Sequence, residues 1–329
     1  MESRVNRNKR KKRRKQKKLW PIVLISMIGL FIATVGGGYF YVTNMLNKME
    51  KVDINEGNLG IDDEIGGRYK NVQNIALFGI DAIGNEYGRS DSTMVLTIDR
   101  DNKKIKLTSL MRDSYVDIDG HGKDKLNHAY AFGGPELAIK TINETFGLNI
   151  KDFATVNFSS LPKIIDILGG IDIDIDSEEI NYINDYIYDM NKINKTNVQN
   201  ITKTGLQHLN GTQAMAYCRI RYTSGGDYKR TERHREVLEK IFEEVQTLSP
   251  SKYPTILNEI LPMVKTDLNA NDILSLGTEM LKMSKSIEQE RFPKDSESSE
   301  TMINGVYYLK FNEDNTKKQI QDWIFRDLK

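Results

Sequence analysis

Apolar residues recur along the chain in two rhythms, and the changes of rhythm mark its predicted elements. NIALFGID (74–81) is an almost unbroken apolar run, which predicts a buried strand ending at Asp81. STMVLTID (92–99) and KIKLTSLM (104–111) alternate apolar and polar positions around the turn-forming RDNK, which predicts a hairpin. GPELAIKTINETFG (134–147) has helical spacing, and FATVNF (153–158) reads as a strand. SSLPKIIDILGG (159–170) is a helix capped by serine and stopped by glycine, followed by the strand IDIDI (171–175). Residues 181–203 are rich in asparagine and weakly periodic, and read as a loop or mobile insertion. NGTQAMAYC (210–218) and DYKRTERHREVLEKIFEEVQ (227–246) read as helices flanking RIRYTSGG. Beyond Pro250 the pattern predicts helices over 253–264 and 271–283, a polar loop rich in Ser and Glu, a strand over 306–311 and a final helix. Strands and helices alternating in one stretch predict an α/β fold, a layered α-β-α domain with a mixed central sheet.

Near the amino terminus both rhythms vanish. Residues 19–47 carry no charge, and LWPIVLISMIGLFIATVGGGYFYV (19–42) is almost wholly apolar. About 20 helical residues cross a bilayer core of roughly 30 Å, so one transmembrane helix is predicted over 19–43. Trp20, Tyr39 and Tyr41 stand at its ends, where amphipathic rings favour the interface. A cleaved signal peptide is the alternative, its only candidate site being the small residues 36–38. Residues 44–71 mix charges and glycine and read as an extracytoplasmic linker, the folded core as 72–249, and 250–329 as helices and a strand packing on that core.

Charge gives this layout a direction. The 329 residues carry a net charge of +1, yet residues 1–18 hold eleven basic side chains and one acidic, leaving the remainder at −9. A basic run beside an apolar span predicts a cytoplasmic tail in contact with anionic membrane lipid, and an outer domain from residue 44 onward. No recognition module follows the tail, so nucleic acid is not expected as a partner. One cysteine, Cys218, excludes an internal disulfide framework, and it reads as a small buried hydrophobe.

The chain lacks a GxSxG elbow, a Walker loop, an HExxH helix and paired metal-binding cysteines. Instead, charged residues gather where strands end: Asp81; Arg89 and Asp91 around Ser90; Arg112 and Asp113; Lys125; and Arg219, Arg221, Asp227, Arg230 and Arg233 around a Gly-Gly turn. Guanidiniums fit phosphate oxygens in pairs, and an Asp pair can hold Mg²⁺ against the same oxygens, so the set suits a phosphorylated ligand. Each group taken singly could equally be a surface ion pair.

NIALFGID, GRSDSTMVLTID, SLMRDSYVDI, GKDKLNHAYAFGGPELA, LNGTQAMAYCRIR and GDYKRTERHREV occur in this order behind a basic tail and one apolar span. In that arrangement the chain resembles the LytR-CpsA-Psr family over about residues 72–245. The resemblance implies a transferase that moves an anionic glycopolymer, of wall teichoic acid or capsular polysaccharide type, from a polyprenyl pyrophosphate carrier to peptidoglycan. By position it implies Asp81 and Asp91 as Mg²⁺ ligands and Arg89, Arg112, Lys125, Arg219, Arg221, Arg230 and Arg233 around the pyrophosphate. Asp113 and Asp227 would orient those arginines, and Asp91 or Asp113 is the candidate base, with Arg112 beside them at the reacting centre. Where the family usually carries Gln after the last arginine, this chain has His234, whose imidazole could donate to phosphate instead. A non-catalytic envelope regulator or scaffold that binds polyprenyl phosphates and a pyrophosphate hydrolase remain as alternatives.

Overall fold

The computed structural model describes residues 41–82, 87–249, 251–280, 282–283 and 287–328. The chain divides into two units, residues 1–47 and 48–329. In the first, residues 41–46 are helical. The tail predicted for 1–18 and all but the last three residues of the span predicted for 19–43 lie outside the described residues. Among the described residues no helix is long and apolar enough to cross a membrane.

In the second unit the chain runs β1 (Glu50–Lys51), α1 (Asp63–Arg68), β2 (Val72–Asp81), β3 (Arg89–Asp99), β4 (Lys104–Leu110), β5 (Tyr115–Ile118), β6 (Gly122–Lys125), α2 (Leu126–Phe146) and β7 (Asp152–Asn157). It continues through α3 (Leu161–Leu168), β8 (Ile171–Ile175), α4 (Glu179–Asn194), β9 (Gly205–Leu209), α5 (Gly211–Arg219), α6 (Gly226–Thr247) and α7 (Tyr253–Ile260). The last elements are β10 (Val264–Thr266), α8 (Ala270–Met280), β11 (Ile287–Phe292), β12 (Ser298–Ile303), β13 (Val306–Phe311) and α9 (Glu313–Phe325).

Among the described residues seven strands form one sheet in the order β1-β10-β7-β2-β3-β4-β11. β2 lies at its middle, antiparallel to β3 and parallel to β7, so the sheet is mixed as expected. Its unbroken apolar run suits a strand covered on both faces. Ala76, Phe78 and Ile80 pack with Ile139, Ile142 and Phe146 of α2 and Ile320 and Ile324 of α9. Ile75, on the alternate face, packs with Leu268 and with Leu276 of α8. A second core joins the antiparallel β8–β9 pair to α3, α4, α5 and α6.

Four segments depart from the sequence pattern. Residues 181–203 begin with most of α4, whose Ile183, Ile187 and Met190 form a buried stripe. The asparagines that argued for a loop tie the returning chain to this helix: Asn184 holds both backbone groups of Ile201 and Asn191 those of Val198, at 2.8–2.9 Å. The segment read as linker is part of the fold. β1 pairs with β10, Leu59 is buried in the main core, and its carbonyl accepts from Asn143 at 2.8 Å. The polar loop after residue 283 contains β11, which extends the sheet beside β4. Its IEQERF sequence is polar because it is an edge strand whose side chains meet charged partners, such as Lys104 at 3.1 Å from Glu288. The helix expected over 253–264 stops at Ile260, and Val264 already belongs to β10.

Candidate active site

The site begins with an irregularity between β2 and β3. Gly79 pairs with Ser92 but Ile80 pairs with Ser90, which leaves Asp91 as the extra residue of a β-bulge. A bulge breaks the alternation of side chains and re-aims the extra one. Gly79 lets Ser92 and the Phe158 ring close in beside the bulge, since a Cβ there would come within 3.0 Å of Ser92 Cβ and 3.1 Å of the Phe158 ring. Gly88 is equally constrained, because a Cβ would run into the backbone of Asp81 where the two strands draw together. Asp81 and Asp91 thereby reach the wall of one cavity.

Arg112 and Asp113 follow the end of β4, where the backbone N–H of Asn127 donates to Arg112 O at 3.1 Å and pins the start of α2 against them. Arg112 meets three carboxylates: Nη1 is 3.1 Å from Asp91, Nε 3.2 Å from Asp113 and Nη2 3.1 Å from Asp227. Arg230 shares two of them, at 3.5 Å from Asp91 and 3.4 Å from Asp227. Lys125 Nζ donates to Asp113 at 2.6 Å, and Asn127 Nδ2 donates to Asp91 at 3.2 Å. Alternation of sign is what allows six charges to be buried together.

Burial pushes the Asp91 carboxyl upward, but Arg112 and Arg230 outweigh it and hold it below the usual carboxylate range. Asp91 therefore stays charged and is a weak proton acceptor. Burial and the like charge of Arg112 lower the proton affinity of Arg230, although a guanidinium remains cationic. The network has spare capacity: among the described residues Asp227 Oδ2, Asn127 Oδ1 and Arg230 Nε are buried and make no hydrogen bond.

In front of this network lies a polar cavity of about 260 Å³, lined by Asp81, Asp91, Arg219, Arg221, Arg230, Phe158, Tyr186, Met215, Cys218, Tyr222 and His234. A second cavity of about 260 Å³ shares Phe158, Cys218 and His234 with it. The second one is apolar, enclosed by Leu77, Met94 and Val156 of the sheet, Leu161 and Ile164 of α3, and Val237 and Ile241 of α6. Burial pushes the Cys218 thiol up to about 12, which agrees with a small hydrophobe in that wall.

His234 stands on the same wall, and burial followed by the charge of Arg230 keeps its imidazole neutral. Nε2 lies 3.1 Å from the Cys218 carbonyl, which only accepts, so Nε2 carries the proton. Nδ1 is then a lone-pair acceptor, buried and without a hydrogen-bond partner among the described residues. Donation from this imidazole to phosphate would require the other tautomer or a second proton.

Of the residues singled out in the sequence, Asp81, Asp91, Arg219, Arg221, Arg230 and His234 line the polar cavity. Arg112, Asp113, Lys125 and Asp227 form the charged network behind it, and Arg89 is exposed at the start of β3, opposite Asp81 in register. Arg233 is directed elsewhere: it donates to Glu179 at 2.8 Å, to Thr223 Oγ1 at 2.7 Å and to the Ile220 carbonyl at 3.3 Å. It braces the loop that follows Arg219 and does not line the cavity. Sequence reasoning missed Asn127, Tyr186 and Tyr222. Asn127 lay inside a quoted motif, as a polar residue in the apolar first turn of a helix, whereas Tyr186 was hidden in the segment read as a loop.

A family model described as the LytR_cpsA_psr family matches residues 38–323. A protein of Enterococcus faecalis named polyisoprenyl-teichoic acid–peptidoglycan teichoic acid transferase TagU is 32% identical over 317 residues, covering 93% of this chain and 96% of that protein. The structure of TagT bound to LIIa-WTA superposes with a TM-score of 0.62 at 28% identity, covering 83% of this chain and 94% of that one. YwtF (TagT) with bound octaprenyl pyrophosphate lipid gives a TM-score of 0.58 at 27% identity, covering 78% and 91%. On the breadth of these matches and the shared fold, the chain belongs to the LytR-CpsA-Psr family of glycopolymer transferases.

Proposed function

We propose that this chain transfers an anionic glycopolymer from a polyprenyl pyrophosphate carrier to a peptidoglycan sugar hydroxyl, at the outer face of the membrane. The observation that carries this reading is the common wall of the two cavities. An arginine-lined pocket opening beside an apolar one of similar volume matches a ligand with an anionic head and a hydrocarbon tail. The basic tail and apolar span read in residues 1–43 support anchoring with the second unit outside the cell.

In this reading Arg219, Arg221 and Arg230 bind the pyrophosphate oxygens. The acceptor hydroxyl loses its proton to water as its oxygen bonds to the sugar-linked phosphorus and the bond to polyprenyl phosphate breaks, so negative charge grows on the leaving phosphate. Fixed guanidiniums stabilise that charge without reorganising. Arg112 acts through the carboxylates it holds, keeping Asp91 and Asp227 in place beside Arg230, while Lys125 holds Asp113 against Arg112. Counting Asp81, Asp91, Asp113 and Asp227 against Arg112, Lys125, Arg219, Arg221 and Arg230, the site has one net positive charge, too little for a pyrophosphate.

A divalent cation fits that deficit. Asp81 and Asp91 offer hard oxygen donors on one cavity wall, a set suited to Mg²⁺ when phosphate and water complete the shell. Bound there, Mg²⁺ would neutralise pyrophosphate oxygens during transfer. The test is to incubate the full-length protein with a polyprenyl-pyrophosphate-linked glycan, Mg²⁺ and peptidoglycan oligomers. Glycan joined covalently to the oligomer is the expected product. Release of free glycan alone would make the protein a hydrolase, and tight lipid binding without turnover would make it a regulator or scaffold.

A further inference from the structure

We propose that Tyr222 is a stacking platform for the first sugar of the carrier-linked glycan, held at the mouth of the polar cavity by a clamp from α4 and α6. This rests on the transferase reading and assigns the part of the substrate that reading leaves without a contact.

Tyr222 lines the same cavity as Arg219 and Arg221, yet 72% of its surface is exposed. A large ring left in water beside two arginines forgoes burial that the second core could have supplied. Nor is it carried on a slack loop. The residue after next, Ser224, donates through its backbone N–H and its hydroxyl to the two oxygens of Glu178, at 2.6 and 2.7 Å. Thr223 is buried and its hydroxyl accepts from Arg233 at 2.7 Å, while Ile220 is fully buried and its carbonyl accepts from the same guanidinium. The backbone is therefore fixed on both sides of the ring. The Tyr182 ring lies 6.2 Å away at 45°, so one flank is propped by α4.

The order of groups along the substrate sets the rest. The prenyl chain and the sugar leave the pyrophosphate from opposite ends. With the tail in the apolar cavity behind Phe158 and His234, the sugar emerges on the solvent side, within reach of the residue next to Arg221. A pyranose has an apolar C–H face, and an aromatic ring covers that face while the hydroxyls stay hydrated. A tyrosine supplies such a surface with only two side-chain torsions to fix.

The test compares two probes on the full-length protein in detergent micelles: octaprenyl pyrophosphate, and the same lipid carrying one N-acetylhexosamine. The quantity read is the ratio of their affinities. Tyr222→Ala is expected to lower the preference for the sugar-bearing lipid about tenfold, and Tyr222→Phe and Tyr222→Trp to retain it. An unchanged ratio in Tyr222→Ala overturns the proposal, as does Tyr222→Phe matching the alanine variant, since the hydroxyl and not the ring face would then be the contact. If the wild-type protein binds neither lipid, the transferase reading falls and this inference falls with it. Binding of both lipids with a ratio indifferent to Tyr222 sinks the stacking alone.

Discussion

Replacing Arg112 by alanine tests whether the charged network works through charge or through packing. The side chain is 15% exposed and bridges three carboxylates, so its removal leaves Arg230 and Lys125 to balance Asp91, Asp113 and Asp227. Breaking a buried ion pair by deleting one partner costs about 3–5 kcal/mol, because the remaining charge stays desolvated. Two cations still face the three carboxylates, so we expect the lower end of that range, about 3 kcal/mol at pH 7. The cost must also depend on pH. Asp91 is held low in the native protein, and its share of stability is present above the unfolded value near 3.9 and lost as pH falls through the lower folded value. Without Arg112 the folded Asp91 carboxyl rises, takes up its proton earlier on acidification and sheds part of the penalty. Urea unfolding followed by tryptophan fluorescence should give a wild-type-minus-variant difference of about 3 kcal/mol at pH 7 and a smaller one near pH 4. A difference that stays constant between pH 7 and 4 would refute the electrostatic account and assign Arg112 to packing.

Three further predictions concern separate parts of the molecule. A chain beginning at residue 72 loses the β1–β10 pairing, the buried Leu59 and the contacts of Asn55 and Asn58 with Glu136, so its melting temperature should fall by roughly 10 °C relative to one beginning at residue 48; equal melting curves would return this segment to the status of a linker. Burial raises the Asp267 carboxyl to about 6, so its charge costs stability above that pH and the cost disappears as pH falls toward 4. Discounted for its partial exposure, Asp267→Asn should stabilise the protein by about 1 kcal/mol at pH 7 and by nothing below pH 4, measured by thermal melts across that range. His234→Gln replaces a lone pair with an amide donor on the wall between the cavities, and calorimetric titration should show octaprenyl pyrophosphate binding several-fold tighter; weaker binding would mean that Nδ1 already serves the ligand.

Much of the fold was legible because its inner strands are covered on both faces. β2, β3, β4, β7 and β8 have apolar runs or alternation strong enough to be read without tertiary context, and the helices over 134–147, 161–168 and 227–246 likewise. The elements that were missed draw their stability from partners distant in sequence. β11 is polar and depends on β4, and β1 depends on β10, more than two hundred residues away. α4 presents only a narrow apolar stripe, and its asparagines carry out a bracing function that local statistics assign to turns. In the site, residue type and order picked out charges that the fold brings together, but not their arrangement. Nothing local distinguishes Arg230, which faces the cavity, from Arg233, three positions on, which turns toward Glu179. That division depends on how α6 is rotated against α4.

The bulge at Asp91 makes the site a matter of counting as well as of chemistry. Point substitutions at Ser90 or Ser92 leave the number of residues between Gly79 and Asp81 on one strand and Arg89 and Ser92 on the other intact, so the carboxylate keeps its direction. Loss of a single residue from 90–92 would let the two strands close into regular register. Every charged group named above except Asp91 could then remain, with the strand hydrogen bonds improved, and yet the cavity would lose the anchor shared by Arg112 and Arg230. The positions flanking Asp91 are thus expected to tolerate change in spelling far better than change in length, and a gain in local regularity would be a loss of function.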